Sequence, residues 1–376
     1  MPGIGVIINP HARANRNGGA ERARRLAEIV GGDGTVRVTE SLPAIQDVAR
    51  EFRERGTEVL AICGGDGSYH CTLTGFRAVY GDAPLPLLLP LRAGTINYIS
   101  DAIGGRRGRP EQALARVVRD YRRGRVYETT ERDLLRVNGT EHGFVLSFGT
   151  AVNFLRMYYA REKQGTFQAT LLLTRLILSA LSGTHSARAV FQATGADVEV
   201  DGAPIPFRQF TFFFAATVDR IALGFRPTYL GARKPGYFHV LGGPIRANRL
   251  IRRAVRIYRG FPTGEPELFD NLARQLAIHF FKPEHYMIDG DILPPVERLD
   301  VDVACRVTLI RGRATLDDDV EHVLDVLERV HAKYDTPGPA EGLREAMRGQ
   351  ARKRVVIRVR PERVSSWDHA KLGGTY

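Results

Sequence analysis

Two short stretches hold the residue types that handle phosphate. The strand-like run Glu58 to Cys63 stops at Gly64-Gly65-Asp66-Gly67-Ser68, and a helix-compatible segment, Ser68 to Val79, follows at once. Strand, glycine turn and helix together point backbone N–H groups and a helix N-terminus at an anion. Glycine lets that backbone approach phosphate oxygens where a side chain would intervene. Asp66, inside the loop, is a poor phosphate ligand, and three tasks suit it: holding a metal ion, ordering the loop, or taking a proton. A tight turn ending a buried strand would look the same, so the second stretch matters. Leu85 to Leu89 is another continuous apolar run, ending in Pro90-Leu91-Arg92-Ala93-Gly94-Thr95-Ile96-Asn97. Two buried strands with glycine and small polar groups at their downstream ends predict a crevice at the carboxyl edge of a parallel sheet, where open α/β sheets bind ligands.

With Ile8-Asn9-Pro10 near the start, these motifs in this order resemble the diacylglycerol kinase catalytic-domain family. That family includes bacterial lipid kinases, sphingosine kinases and ceramide kinases; NAD kinases and 6-phosphofructokinases share the glycine-aspartate motif more distantly. The resemblance spans residues 3 to 312 and is closest over the first hundred. It implies an α/β nucleotide-binding domain over residues 1–130 and an antiparallel β-sandwich domain for the lipid over 131–312, then a helix at 313–335 returning to the first domain and a basic tail at 336–376. It implies ATP and magnesium as cofactors and a lipid alcohol as acceptor. On this pattern Asn9, Thr39, Gly64, Gly65, Asp66, Gly67, Ser68, Gly94, Thr95 and Asn97 line the nucleotide, and Asp66 is the nearby carboxylate for magnesium. Asp291, in Asp289-Gly290-Asp291, stands where the family has the glutamate that takes the acceptor proton; Asp66 or Asp289 assists or replaces it.

The chain departs from the family pattern at several places. Ala12-Arg13-Ala14 replaces a Ser-Gly in the loop after Pro10, and Cys71 replaces a glutamate after His70, a histidine shared with sphingosine kinases. Tyr98 follows Asn97 where an aspartate is usual, and Pro235-Gly236 lacks the aspartate of a structural magnesium site, which is therefore not carried over. These losses keep open a nucleotide- or lipid-binding homologue with weak or lost turnover. A kinase of the same superfamily with a soluble substrate such as NAD is the other alternative.

The elements that must position these groups are legible in the pattern. Gly3–Ile8 reads as the first buried strand and Ala20–Val30 as an amphipathic helix; Val36 and Val38 alternate in a short strand ending at Thr39. Ser41 with Pro43 is a helix start, with Ile45, Val48, Ala49 and Phe52 on the buried face and Gly56 closing it. After the helix Glu111–Arg122, strand alternation takes over, with Asn138-Gly139 and Asp201-Gly202 as hairpin turns. Phe154–Leu181 reads as a helix, either packed on the β domain or serving as a lid beside a lipid site. Asp317–Val330 reads as a second amphipathic helix, and Val355–Ile357 as a short edge strand within the basic tail.

The 376 residues suffice for two domains, and 43% hydrophobic residues for two cores. Cys63, Cys71 and Cys305 form no disulfide framework, which fits a reducing cytoplasm, and Met1–Asn9 lacks the pattern of a signal peptide. Ala169–Leu181, broken by Arg175, is too short to span a bilayer. A net charge of +12 favours anionic partners. Nucleotide and lipid headgroups account for it, so peripheral contact with the inner face of a membrane is expected and a nucleic-acid partner is not. Self-association stays open.

Overall fold

The computed structural model describes residues 3–16, 18–105, 108–161, 165, 167–168, 170–172, 174–175, 189–317 and 356–359. Strands buried on both faces belong in the interior of a parallel sheet covered by helices. Here β1 (Ile4–Ile8) and β3 (Val59–Gly64) are buried throughout, and they pair in parallel with β2 (Gly34–Val38) and β4 (Leu87–Arg92) in the order β4-β3-β1-β2. Helices α1 (Gly19–Val30), α2 (Leu42–Glu54) and α3 (Asp66–Tyr80) connect these strands, and α4 (Tyr98–Ala102) and α5 (Pro110–Arg122) follow β4. Ser41 caps α2, its Oγ accepting the Ala44 N–H at 3.4 Å, and the predicted face Ile45, Val48, Ala49 and Phe52 is the buried one. The β4 strand runs on through Pro90 to Arg92, past the Leu89 at which the apolar run ends.

The remaining strands are β5 (Tyr127–Val137), β6 (Glu141–Gly143), β7 (Val145–Gly149), β8 (Thr194–Val200), β9 (Ala203–Pro204), β10 (Gln209–Phe210), β11 (Phe212–Ala216), β12 (Phe238–Gly243), β13 (Phe269–Ala273), β14 (Gln275–Ile288), β15 (Asp291–Asp317) and β16 (Val356–Val359). Their order β13-β12-β11-β7-β14-β15 is antiparallel throughout. The long β15 then joins the parallel half, with Leu309 opposite Leu88 of β4. The expected fold class, parallel strands followed by antiparallel ones, is thus found within one continuous sheet. The Asn138-Gly139, Asp201-Gly202 and Asp289-Gly290 turns all have positive φ at both residues, the geometry of type I′ hairpins. Helix α6 (Thr150–Tyr159) begins four residues before the expected start at Phe154, and most of the stretch to Leu181 lies outside the described residues. Two short helices, α7 (Ala247–Arg252) and α8 (Ala254–Arg259), follow β12.

The chain forms two compact units, Met1–Val118 with Thr129–Arg311, and Arg119–Glu128 with Gly312–Tyr376. In the first, one hydrophobic core runs from Phe52, Phe76 and Leu88 of the parallel half to Phe144, Leu241 and Met287 of the antiparallel half. A second cluster, around stacked Phe148 and Phe213, lies within the antiparallel half. In the second unit, the end of β15 pairs antiparallel with β16, Ala314 opposite Val359 and Asp317 opposite Val356. Residues 313–317, expected to open the returning helix, are therefore strand; the rest of that helix and the tail outside 356–359 lie beyond the described residues. Among the described residues no helix is long and apolar enough to cross a membrane.

Candidate active site

The two glycine loops meet backbone to backbone at the carboxyl ends of β3 and β4. A Cβ added at Gly94 would lie 2.4 Å from the Cα of Gly65, so the second loop has no room for a side chain at their crossing, and a Cβ at Gly65 would press on the Gly94 Cα at 3.2 Å. Gly65 has φ −92°, an ordinary conformation, so this glycine is demanded by contact and not by a positive φ. Asn97 is left-handed, at φ 53°, and closes the second loop on itself: its Oδ1 accepts the Gly94 N–H at 3.0 Å and its Nδ2 donates to the Gly94 carbonyl at 2.9 Å. Ser68 Oγ accepts from Asn9 Nδ2 at 2.9 Å and from the Gly65 N–H at 3.2 Å, which ties the end of β1 to the first turn of α3. Asp66 orders the loops, its Oδ1 accepting the Ile99 N–H at the start of α4 at 3.1 Å. Burial pushes its carboxyl up to about 7, against the pull of the backbone N–H groups of residues 97–99.

The β14–β15 hairpin brings Asp291 onto the first loop, so close that a Cβ at Gly67 would sit 2.1 Å from Asp291 Oδ1. Asp291 Oδ2 is 3.1 Å from His70 Nδ1 and accepts from Cys71 Sγ at 3.3 Å. The other ring nitrogen of His70 lies 2.7 Å from Glu141 Oε2. An imidazole between two carboxylates donates from both nitrogens and is held as the cation. Burial works against that charge, but the bonds to Asp291, Cys71 and Glu141 outweigh it and push His70 up to about 12. The same pairing with His70, opposed by burial, holds Glu141 below the usual carboxylate range.

Asp289 has a different task. Fully buried, it accepts the N–H groups of Phe144 at 3.1 Å and Val145 at 2.9 Å and the hydroxyl of Tyr98 at 3.0 Å. Burial pushes its carboxyl up to about 7 despite these donors. The residue locks the hairpin that carries Asp291 to the edge of the first loop, and Tyr98 fastens α4 to it.

A cavity of about 510 Å3 runs from this polar cluster into an apolar compartment. Its polar end is lined by Asn9, His11, Arg13, Arg16, Gly65, Asp66, Gly67, Ser68, Gly94, Thr95, Asp289 and Asp291. Its other end is walled by Phe154, Leu155, Val190, Phe191, Phe212, Phe214, Ile221, Leu223, Phe225, Leu250, Ile251 and Ile257. Of the residues singled out in the sequence, Gly64 and Asn97 stand behind the lining. Thr39 is buried at the end of β2, its N–H on the Ile8 carbonyl at 3.0 Å, and does not line the cavity.

Residues 3–126 match the diacylglycerol kinase catalytic domain. The motif-based resemblance therefore holds over that segment, which contains both glycine loops. Among solved structures, a candidate diacylglycerol kinase of Bacillus anthracis str. Sterne is similar at 13% identity and a TM-score of 0.59, covering 82% of this chain and 96% of its own. A second structure from that organism, a diacylglycerol kinase, aligns at 14% identity and a TM-score of 0.52 over the same shares. These likenesses are in fold. Among curated proteins, none matches the sequence significantly.

The departures from the diacylglycerol kinase pattern now have physical places. Cys71 sits against Asp291, while Glu141, from the antiparallel half, supplies a carboxylate on the other side of His70. Tyr98 is the donor to Asp289, a contact an aspartate there could make only if protonated. At Pro235-Gly236 the Gly236 N–H donates to Asp133 Oδ2 at 2.6 Å, and Arg306 Nε donates to the other oxygen at 2.9 Å. Sequence reasoning did not single out Arg13, Arg16 or Glu141. The arginines were visible in the basic loop after Pro10, but nothing local marked Glu141.

The charge on His70 has a measurable consequence. A histidine whose value is raised on folding stabilises the fold fully below its ordinary value near 6.5, and this stabilisation is lost as pH climbs toward the raised value. The gap in melting temperature between the wild type and His70→Gln should be widest at pH 6 and narrow steadily to pH 9.5. A gap constant across that range would mean that His70 is not held charged.

Proposed function

We propose that the chain is an ATP-dependent lipid kinase that phosphorylates a hydroxyl of a lipid such as diacylglycerol or a sphingoid base. The observation that carries this reading is the shape of the cavity, in which one polar end with two glycine loops, arginines and a half-exposed carboxylate continues into a compartment walled by aromatic and aliphatic side chains. A soluble acceptor such as NAD has no use for that apolar half. The family match over residues 3–126 and the fold of the neighbours support the same reading.

Phosphoryl transfer asks for positioning and charge neutralisation more than covalent chemistry. When bound, ATP and magnesium supply the transferable phosphoryl group and the neutralising charge. The residues at the polar end fit such a ligand: a glycine crossing that a Cβ at Gly94 would fill, the N-terminus of α3, and exposed Arg13 and Arg16. Asp66 would hold magnesium, and a divalent charge beside it would bring its carboxyl down from the value that burial imposes. Asp291 orients the acceptor hydroxyl and takes its proton on a carboxylate oxygen, and the His70 cation fixes where that carboxylate points. Glu141 and Asp289 position these groups without reaching the acceptor, Glu141 through His70 and Asp289 through the hairpin.

Incubation with γ-labelled ATP and a total lipid extract tests the reading, and label in an organic-extractable phospholipid is the expected result. Label confined to an aqueous product would favour a soluble substrate. ATP-induced thermal stabilisation without any labelled product would favour a binding homologue.

A further inference from the structure

The segment Arg246 to Pro262 has a second face that the cavity does not use. Leu250, Ile251, Ala254 and Ile257 of α7 and α8 form part of the apolar wall. On the outside the same segment exposes Arg246, Arg252, Arg256 and Arg259, with Val255 63%, Tyr258 55% and Phe261 54% exposed. Three large apolar side chains left this open within seven residues are unusual on a surface in water. Arg249 and Arg253 are turned to Glu265 and Glu267, whereas among the described residues Arg246, Arg252 and Arg259 have no carboxylate partner. Exposed apolar groups interleaved with uncompensated arginines complement the interface of an anionic bilayer, where the apolar groups enter the headgroup boundary and the guanidinium groups meet lipid phosphates.

We propose that the outer face of α7 and α8, with Phe261, is the surface by which this protein docks on an anionic lipid bilayer. The inference rests on reading the cavity as a lipid site, since docking there sets the cavity's apolar wall directly against the membrane that holds the acceptor. Charge complementarity selects the bilayer as occupant: an apolar protein partner would not call for the arginines, and nucleic acid would not call for Val255 and Phe261.

The test is co-sedimentation of the full chain with vesicles of phosphatidylglycerol and phosphatidylcholine in equal parts, and of phosphatidylcholine alone, without ATP or acceptor lipid. Wild type should partition onto the anionic vesicles and release as salt is raised. The triple variant Arg252→Glu, Arg256→Glu, Arg259→Glu should lose partitioning by a factor on the order of 100, taking about tenfold or less for each charge. Val255→Ser with Phe261→Ser should lose on the order of tenfold while keeping the salt dependence. Reversal of Arg25, Arg50 and Arg119, exposed on other helices, changes net charge equally and should leave binding within about threefold. Undiminished binding by the variants of this face, an equal loss in the control variant, or no preference for anionic vesicles would each overturn the assignment. The labelling experiment reads chemistry and this one reads binding, so either can fail alone. Both variants of this face should also keep the wild-type melting temperature and wild-type phosphorylation of a short-chain acceptor in detergent.

Discussion

Asp291→Asn should lower turnover by a factor on the order of 10²–10⁴, the usual range for loss of a general base, while ATP affinity stays near wild type. Asparagine keeps the size of the side chain and the approach to Gly67 and His70, but it has no oxygen that takes a proton at neutral pH. Asp291→Glu should stay active, because the side chain lines the open cavity, keeps its carboxylate and becomes the residue type the resembled family carries there. Gly67→Ala offers an independent check. Its Cβ would meet Asp291 Oδ1 at 2.1 Å, so the carboxylate must move away from the loop although its chemistry is untouched. The same step should slow, by less than in Asp291→Asn. Asp289→Asn should act differently, lowering the melting temperature first, since its amide would turn a donor toward the Phe144 and Val145 N–H groups. If Asp291→Asn turns over at the wild-type rate while Asp66→Asn does not, the base is Asp66.

The elements that follow strict local rules were legible before any coordinates. The buried runs ahead of the glycine loops, the Ser41 cap and the Asn138-Gly139 and Asp201-Gly202 turns each need only a few neighbouring residues to be specified. The apolar run Leu85–Leu89 marks β4 only in part, because the strand continues through Pro90, which has no N–H to give yet pairs opposite Ile62 inside the sheet. The site was legible in halves. The two glycine loops read as an anion cradle only when taken together, and Asp291 was tied to that site only through the family resemblance. Glu141 reaches His70 across 71 positions, and Tyr98 reaches Asp289 across 191, distances that no local spacing encodes. Helices α7 and α8 are six residues each with no side-chain cap, too short to leave a periodic signal.

Gly94→Val should abolish the ATP-induced rise in melting temperature. The reason lies in the crossing of the loops, where the Gly65 Cα would stand 2.4 Å and Asn97 Oδ1 3.2 Å from the new Cβ. The first of these neighbours is backbone, so relief requires the loops to part, and overpacking of this kind costs about 1–3 kcal/mol. Parting them also strains the Asn97 bonds to Gly94 and pulls the start of α4 from Asp66, so the cradle loses its shape along with its closeness. Gly65→Ala is the milder case: its Cβ would lie 3.2 Å from the Gly94 Cα and its φ is ordinary, so partial ATP response should remain. Gly32→Ala is the neutral reference, with open space around the added carbon, and should keep both stability and the full ATP shift. A folded Gly94→Val protein with the wild-type ATP shift would remove the loop crossing from the nucleotide site, because no phosphate could then depend on the two loops being pressed together.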